Sequence, residues 1–375
     1  MFQVGDLITA DQAMRLAIEV AKEGRGFVSP NPLVGCVIVD AQHRFLSSGA
    51  HLKCGEAHAE MNALKQIPDP ALLKNASLYV TLEPCSHQGR TGSCAETLAK
   101  LPIQKVYYGL QDPNPQVAGQ GIRILEKHSK MVRPFDKYRG ECEDLIEQFR
   151  FHIQARTPYI ALKVGTSLDG KIALKNGESQ WITGEQARAH GRLLRAHYDA
   201  TLIGAGTFQY DDPTLDFRGT PFEGKKPNRV LILDPKGKVP ELFAQSKVAK
   251  AHEKKNIIVL TRQEHVNKWA QHLVPVIPWE SSHKGWQQAL QNLYQKGVHS
   301  IFVEGGAFVF GQILTHSLAH KLYLFQSSKI IGDGVSWTQY FTNSSLSKAP
   351  DLIRWQSLPM NGDRLNIAYF PSKES

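Results

Sequence analysis

His58-Ala59-Glu60, then Pro84-Cys85 and, after an eight-residue interval, Cys94 decide how this chain is read. A catalytic zinc site takes three protein ligands and leaves the fourth position for water, and one imidazole with two thiolates is a known donor set. His58, Cys85 and Cys94 supply that set. His58 precedes an apolar-periodic stretch (Ala59, Ala63, Leu64, Ile67), and Ser93 with Glu96 reads as a capping box that makes Cys94 open a helix. The positive end of a helix favours a thiolate. A structural zinc would want a fourth protein ligand, and His51 and Cys54 are near enough in sequence to offer one.

Nucleobase deaminases carry H-x-E followed by P-C-x-x-C, with the glutamate moving protons and not binding metal. Glu60 fits that role, but the interval from Ser86 to Ser93 replaces the two-residue gap, so the chain must make an excursion that Gly89 and Gly92 make feasible. Zinc lowers the pKa of water to roughly 7, and a glutamate placed like Glu60 contributes about 10² to 10⁴-fold by proton transfer.

With 375 residues the chain has room for two cores, and 42% hydrophobic with 21% charged residues describes a globular protein. No signal peptide or apolar run of membrane-spanning length is evident, which predicts a cytoplasmic protein without a membrane partner. Five cysteines are too few and too unevenly spread for a disulfide framework, so Cys36, Cys54 and Cys142 are expected reduced. The formal charge of +9 is dispersed, with its densest cluster at Lys247 to Lys255. Phosphorylated small molecules satisfy that balance as well as nucleic acid does.

The first half alternates helical and strand patterns. Thr9 with Gln12 makes a capping box before a helix that Gly24 stops, and strand-like runs follow at Val34–Val39, Leu78–Leu82 and Val106–Leu110. A single charged helix is predicted from about Arg139 to His152, and the domain boundary is set there, giving domains 1–152 and 153–375. Beyond it, strands are predicted at Tyr159–Val164, Ala200–Ile203, Val230–Leu233, Ile257–Leu260, Ile301–Val303 and Leu322–Phe325. Helices intervene at about Gly184–Ala196 and Lys284–Gln295. Both halves are therefore α/β. Turns at Asn31, Asp112 and Asn114 can present polar groups to a pyrimidine edge, and His87 and Arg90 can grip a phosphate. Gly204-Ala205-Gly206-Thr207 and Glu304-Gly305-Gly306-Ala307 follow strands as phosphate cradles do, although neither matches G-x-G-x-x-G.

Taken together, these residues resemble the bifunctional deaminase-reductases of riboflavin biosynthesis along nearly the whole chain. The matching strings are Ser29-Pro30-Asn31-Pro32-Leu33-Val34-Gly35, His58-Ala59-Glu60, Glu83-Pro84-Cys85-Ser86-His87 with Gly89-Arg90-Thr91, Asp112-Pro113-Asn114-Pro115, Ser167-Leu168-Asp169-Gly170-Lys171, Gly177-Glu178-Ser179-Gln180-Trp181-Ile182-Thr183 and Val303-Glu304-Gly305-Gly306. The longer interval between the cysteines belongs to that family. The resemblance implies a cytidine-deaminase-like three-layer α/β/α domain that uses Zn2+ to deaminate a diaminopyrimidinone ribosyl phosphate. It implies next a dihydrofolate-reductase-like domain that uses NADPH to reduce the ribosyl to a ribityl group.

Carried over by position, Gly165, Trp181, Thr207, Asp211 and Gly306 are NADPH contacts, and Ser179, Arg195, Leu215, Arg218 and Glu304 are contacts to the reductase substrate. Arg195 and Arg218 suit a phosphate. Lys163 and Asp169 are candidates for ring opening or proton delivery, or for pairing with each other. The expected partners are small phosphorylated pyrimidines, not nucleic acid, and there is room for a homo-oligomer. Two rivals stay open: a nucleic-acid-editing deaminase whose basic second half binds RNA, and a metal-stabilised binding protein without catalysis. The first lacks an RNP-like string or a paired-glycine loop, and the second leaves Glu60 without a purpose.

Overall fold

The computed structural model describes residues 2–86, 92–115 and 117–371. They form two compact units, Met1–Arg156 and Thr157–Ser375.

In the first unit, Thr9 accepts from the Gln12 N–H at 3.2 Å while the Gln12 side chain takes the Thr9 N–H at 2.8 Å, which starts α1 (Ala10–Ala21). A short 3-10 turn ending at Gly24 terminates it. The chain then runs through β1 (Gly35–Val39), β2 (Phe45–Ala50), α2 (Ala59–Leu64), β3 (Ser77–Val80), α3 (Cys94–Lys100), β4 (Lys105–Tyr108), α4 (Gln120–Lys127), β5 (Met131–Pro134), α5 (Arg139–Leu145) and α6 (Glu147–Ala155). The sheet order is β2-β1-β3-β4-β5, with β1 antiparallel to both neighbours and β3, β4 and β5 parallel.

Successive residues of a strand face opposite sides, and β1 shows the consequence. Val37 and Val39 join the α1 and α5 core of Met14, Ala17, Cys142 and Leu145, while Cys36 and Ile38 join the opposite core of Ala63, Ala95, Leu98 and Leu125. The sheet is covered on both faces. The helix predicted from Arg139 to His152 is two helices, interrupted at Ile146 where φ is −107° and ψ 13°. Ile146 and Leu145 are both buried, so core packing overrides the continuous helical pattern.

The second unit comprises β6 (Tyr159–Thr166), β7 (Lys171–Leu174), α7 (Glu185–Arg195), β8 (Ala200–Gly204), α8 (Ala205–Asp211), β9 (Arg229–Leu233), α9 (Pro240–Phe243), α10 (Lys247–Ala251), β10 (Ile257–Thr261), β11 (Val276–Pro278), α11 (His283–Gln295), β12 (Ser300–Gly305), α12 (Ala307–Thr315), β13 (Lys321–Gln326), β14 (Gly334–Ser336), β15 (Ile353–Met360) and β16 (Asp363–Tyr369). Nine strands order as β11-β10-β9-β8-β12-β6-β13-β16-β15, and β7 pairs with β14 separately. Leu231, Leu233, Ile258 and Leu260 face α11 and α12 through Trp286, Leu290, Val309 and Phe310, whereas Val230, Ile232, Ile257 and Val259 face Phe208, Phe243 and Val248. The strands from β11 to β13 are parallel, which puts the turns leading into α8 and α12 at one end of the sheet.

Candidate active sites

His58 is the N-cap of α2, with φ −73° and ψ 166°, and Glu60 lies in that helix's first turn. Cys85 follows β3, and Cys94 is the first residue of α3. Ser93 joins the two cysteines: its hydroxyl accepts the Glu96 N–H at 3.2 Å, capping α3, and donates to the Cys85 carbonyl at 3.0 Å. The Ala95 N–H donates to that same carbonyl at 3.1 Å. In consequence His58 Nδ1 lies 3.4 Å from Cys85 Sγ and 3.3 Å from Cys94 Sγ.

Among the described residues these three form the cluster able to hold a metal, their ligand atoms all within 4.8 Å of one another. Electrostatics fits a soft divalent cation. A hydrogen bond from Cys94 and the nearby His58 draw the Cys85 thiol down to about 4, while Cys94, paired to that sulfur and buried, is driven far up. His58 is raised, chiefly by its hydrogen bond to Cys85. A proton shared in this way is what a metal displaces on binding.

Neither alternative fourth ligand joins the cluster. His51 places Nδ1 3.1 Å from the Ala57 carbonyl, which assigns the hydrogen there, and its Nε2 receives the Asn31 amide at 3.1 Å. Three protein ligands with an open position mark a catalytic rather than a structural centre. Glu60 is 3% exposed; burial, then the charge of Cys85, pushes its pKa up to about 7.

A 460 Å³ cavity collects Asn31, His58, Glu60, Cys85, Asp112 and Asn114, and Val34, Leu82, Val117, Phe149 and Ile153 give it apolar walls. Its size suits a nucleotide-like molecule. Phe149 and Ile153 come from α6, far from any motif, and only the folded chain reveals them. His87 and Arg90 lie outside the described residues.

In the second unit Glu304, at the end of β12, meets the fork of Arg195, from the end of α7: Nε donates to one carboxylate oxygen and Nη2 to the other at 3.1 Å. Arg195 Nη1 donates to the Asp216 carbonyl at 2.6 Å. Three of the five guanidinium N–H groups are thus taken by protein partners, so Arg195 orients Glu304 and keeps an N–H on each terminal nitrogen for a ligand. Arg218, more exposed and paired with Asp216 at 2.7 Å, remains suited to phosphate. Lys163 Nζ sits 3.9 Å from Glu304. Burial lowers the Lys163 pKa; it opposes the Glu304 charge too, but Arg195 and Lys163 prevail and hold that carboxyl below its ordinary range.

Asp169 does not pair with Lys163. Its carboxylate takes the Ser167 hydroxyl at 2.6 Å and the Ile331 and Gly332 N–H groups at 3.0 and 2.7 Å, which hold its pKa well below the usual carboxylate range. It ties the turn after β6 to residues 331–332. Ser179 donates to Asp211 at 2.8 Å, Trp181 is 58% exposed beneath Arg188, and Leu215 is buried. Gly165 lies on β6 and Thr207 on α8. Gly305 and Gly306 have φ of +133° and +88°, and a Cβ on Gly306 would lie 3.2 Å from Thr207 Oγ1. With no side-chain cap on α12, this turn leaves a backbone-lined cradle of the kind a pyrophosphate fills.

A three-ligand metal centre beside a buried glutamate, and a glycine-lined cradle on a mostly parallel sheet, define a zinc-type deaminase joined to a nucleotide-dependent reductase. Residues 8–110 match the family described as "Cytidine and deoxycytidylate deaminase zinc-binding region", and residues 158–357 match "RibD C-terminal domain". The riboflavin biosynthesis protein RibD of Bacillus amyloliquefaciens is 38% identical over 322 residues, covering 85% of this chain and 84% of the relative. That of Escherichia coli is 34% identical over 335 residues, covering 85% and 88%. A crystal structure from Thermotoga maritima, titled a diaminohydroxyphosphoribosylaminopyrimidine deaminase/5-amino-6-(5-phosphoribosylamino)uracil reductase, superposes with a TM-score of 0.83 at 32% identity, covering 96% of this chain and 98% of its own. The chain belongs to the RibD family, bifunctional deaminase-reductases of riboflavin biosynthesis that use zinc and NADPH. Among the described residues, no helix is long and apolar enough to cross a membrane.

Proposed function

We propose that the first unit hydrolyses the 2-amino group of 2,5-diamino-6-(5-phosphoribosylamino)pyrimidin-4(3H)-one, and that the second reduces the ribosyl group of the resulting aminouracil to ribityl. The observation that carries this reading is the convergence of His58, Cys85 and Cys94 with buried Glu60 in one cavity. Bound at their sites, zinc supplies Lewis acidity toward water and NADPH supplies a hydride.

The chain's own residues do the rest. His58, Cys85 and Cys94 hold the metal. Glu60, buried beside the metal ligands, takes the first proton of the attacking water and passes it to the ring nitrogen; it then takes the second from the hydroxyl so formed and passes it to the amino group, which leaves as ammonia while the carbonyl forms. Asn31, Asp112 and Asn114 hold the pyrimidine edge, and His87 and Arg90 its phosphate. In the reductase, Gly165, Trp181, Thr207, Asp211 and Gly306 contact NADPH, while Ser179, Arg195, Leu215, Arg218 and Glu304 contact the substrate. Arg195 fixes the Glu304 carboxylate, and Lys163, kept poorly solvated beside it, delivers a proton when the ribose opens. The substrates are small phosphorylated pyrimidines of the cytoplasm, and the functional division follows α6. Purified chain given the diaminopyrimidinone phosphate and NADPH should yield both ammonia and the ribityl product; ammonia without NADPH oxidation, or neither, would refute the pairing of activities.

A further inference from the structure

We propose that Glu83, two residues before Cys85, is a positioning residue for deamination that clamps the 112–122 segment to the exit of β3; this rests on the deaminase reading above. Glu83 is 5% exposed. One carboxylate oxygen accepts the N–H groups of Asp112 at 3.2 Å and Gly119 at 2.9 Å, and the other accepts those of Gly121 at 2.9 Å and Ile122 at 3.3 Å. Its own N–H donates to the Leu110 carbonyl at 2.8 Å. A single side chain therefore ties down both ends of the segment that brings Asp112 and Asn114 to the cavity.

Local chemistry explains why a carboxylate stands here. Helix α4 begins after Gly119, which has no side chain to cap it. The first N–H groups of a helix need an acceptor and favour negative charge. Glu83 supplies the acceptor from another element, through Gly121 and Ile122. Close approach is built in as well, because a Cβ on Gly121 would lie 1.9 Å from the Pro84 carbonyl oxygen. The order continues into the cavity: Asp112 Oδ1 accepts the Asn114 N–H at 2.8 Å. Without the clamp, the segment must be ordered by each substrate that binds, which weakens binding without touching the proton chemistry of Glu60.

The test uses the full zinc-loaded chain with Glu83→Ala, Glu83→Gln and Gly121→Ala. Losing the clamp should speed hydrogen exchange at the Gly119 and Ile122 amides and raise the KM for the diaminopyrimidinone phosphate about tenfold or more. The kcat should stay within about threefold, a difference below 1 kcal/mol, with zinc content and NADPH oxidation unchanged. Glu83→Gln, which keeps one carbonyl acceptor, should fall between wild type and Glu83→Ala. In an Asn114→Ala background the effect of Glu83→Ala on KM should shrink, which a generally weakened fold would not produce. A kcat loss at constant KM, loss of zinc, unaltered amide exchange, or an unchanged KM in Gly121→Ala would overturn the proposal. Failure of the wild-type chain to release ammonia would instead sink the deaminase reading, while the amide exchange still tests the clamp.

Discussion

Between Met1 and Arg156 the candidate groups are side chains of uncommon type, one imidazole, two thiols and a buried carboxyl, held by two helix starts and one strand exit. Between Thr157 and Ser375 the candidate groups are glycine turns at the ends of parallel strands and a largely buried Lys163–Glu304–Arg195 cluster. A metal accepts few donor types, so its site is written in residue identities. A dinucleotide is gripped largely by backbone shape, which many sequences can encode. The contrast explains why the first unit declares its chemistry and the second needs its fold.

That contrast can be broken most severely at Glu60. Glu60→Gln should cut ammonia release by about 10² to 10⁴-fold while metal content and reduction of the pre-made aminouracil persist; joint loss of both activities in folded, metal-loaded protein would contradict separate sites. The reductase should respond differently, through stability. Arg195→Met leaves the largely buried Glu304 carboxylate facing Lys163 alone and should destabilise the second unit by about 3 kcal/mol, read by denaturant unfolding, with zinc binding untouched.

Acidification should sharpen the difference further. His320 accepts the Ile160 N–H on Nδ1 at 2.9 Å, and burial lowers its pKa from 6.5 to about 4. A base depressed on folding is protonated preferentially in the unfolded chain, so its contribution is complete above pH 6.5 and is lost as pH falls through about 4. The loss amounts to about 3 kcal/mol. His320→Asn retains an acceptor without titrating and should flatten that slope. The smallest effect belongs to the first unit: Thr9→Ala removes the cap of α1 and should cost about 1 kcal/mol in a thermal melt, with kcat unchanged.

Several elements were legible beforehand for plain reasons. The α1 capping box, the continuous apolar run of β1 and the helix starts at His58 and Cys94 depend on neighbours in sequence, and they form where the pattern puts them. Strand β2 was missed because Phe45-Leu46-Ser47-Ser48-Gly49-Ala50 is half small and polar, yet pairing with β1 buries it, Ser47 to 2%. Strand β15 lacks a buried face, being exposed from Ile353 to Pro359, and only its ladder with β16 makes it a strand. The partner of Arg195 was hidden in the same way: a guanidinium looks free in sequence until the carboxylate it holds, 109 residues away, is seen beside it.

Sequence alone determined the His58, Cys85 and Cys94 donor set, the glutamate two residues beyond His58 and the alternation of strands and helices, because each depends on residue type and short spacing. Tertiary structure decided which polar groups are buried, that Phe149 and Ile153 wall the cavity, that Arg195 belongs to Glu304, and that Glu83 fastens a distant segment. Burial and long-range hydrogen bonding are properties of the packed chain. They set pKa values and the partners of charged groups only once water has been excluded.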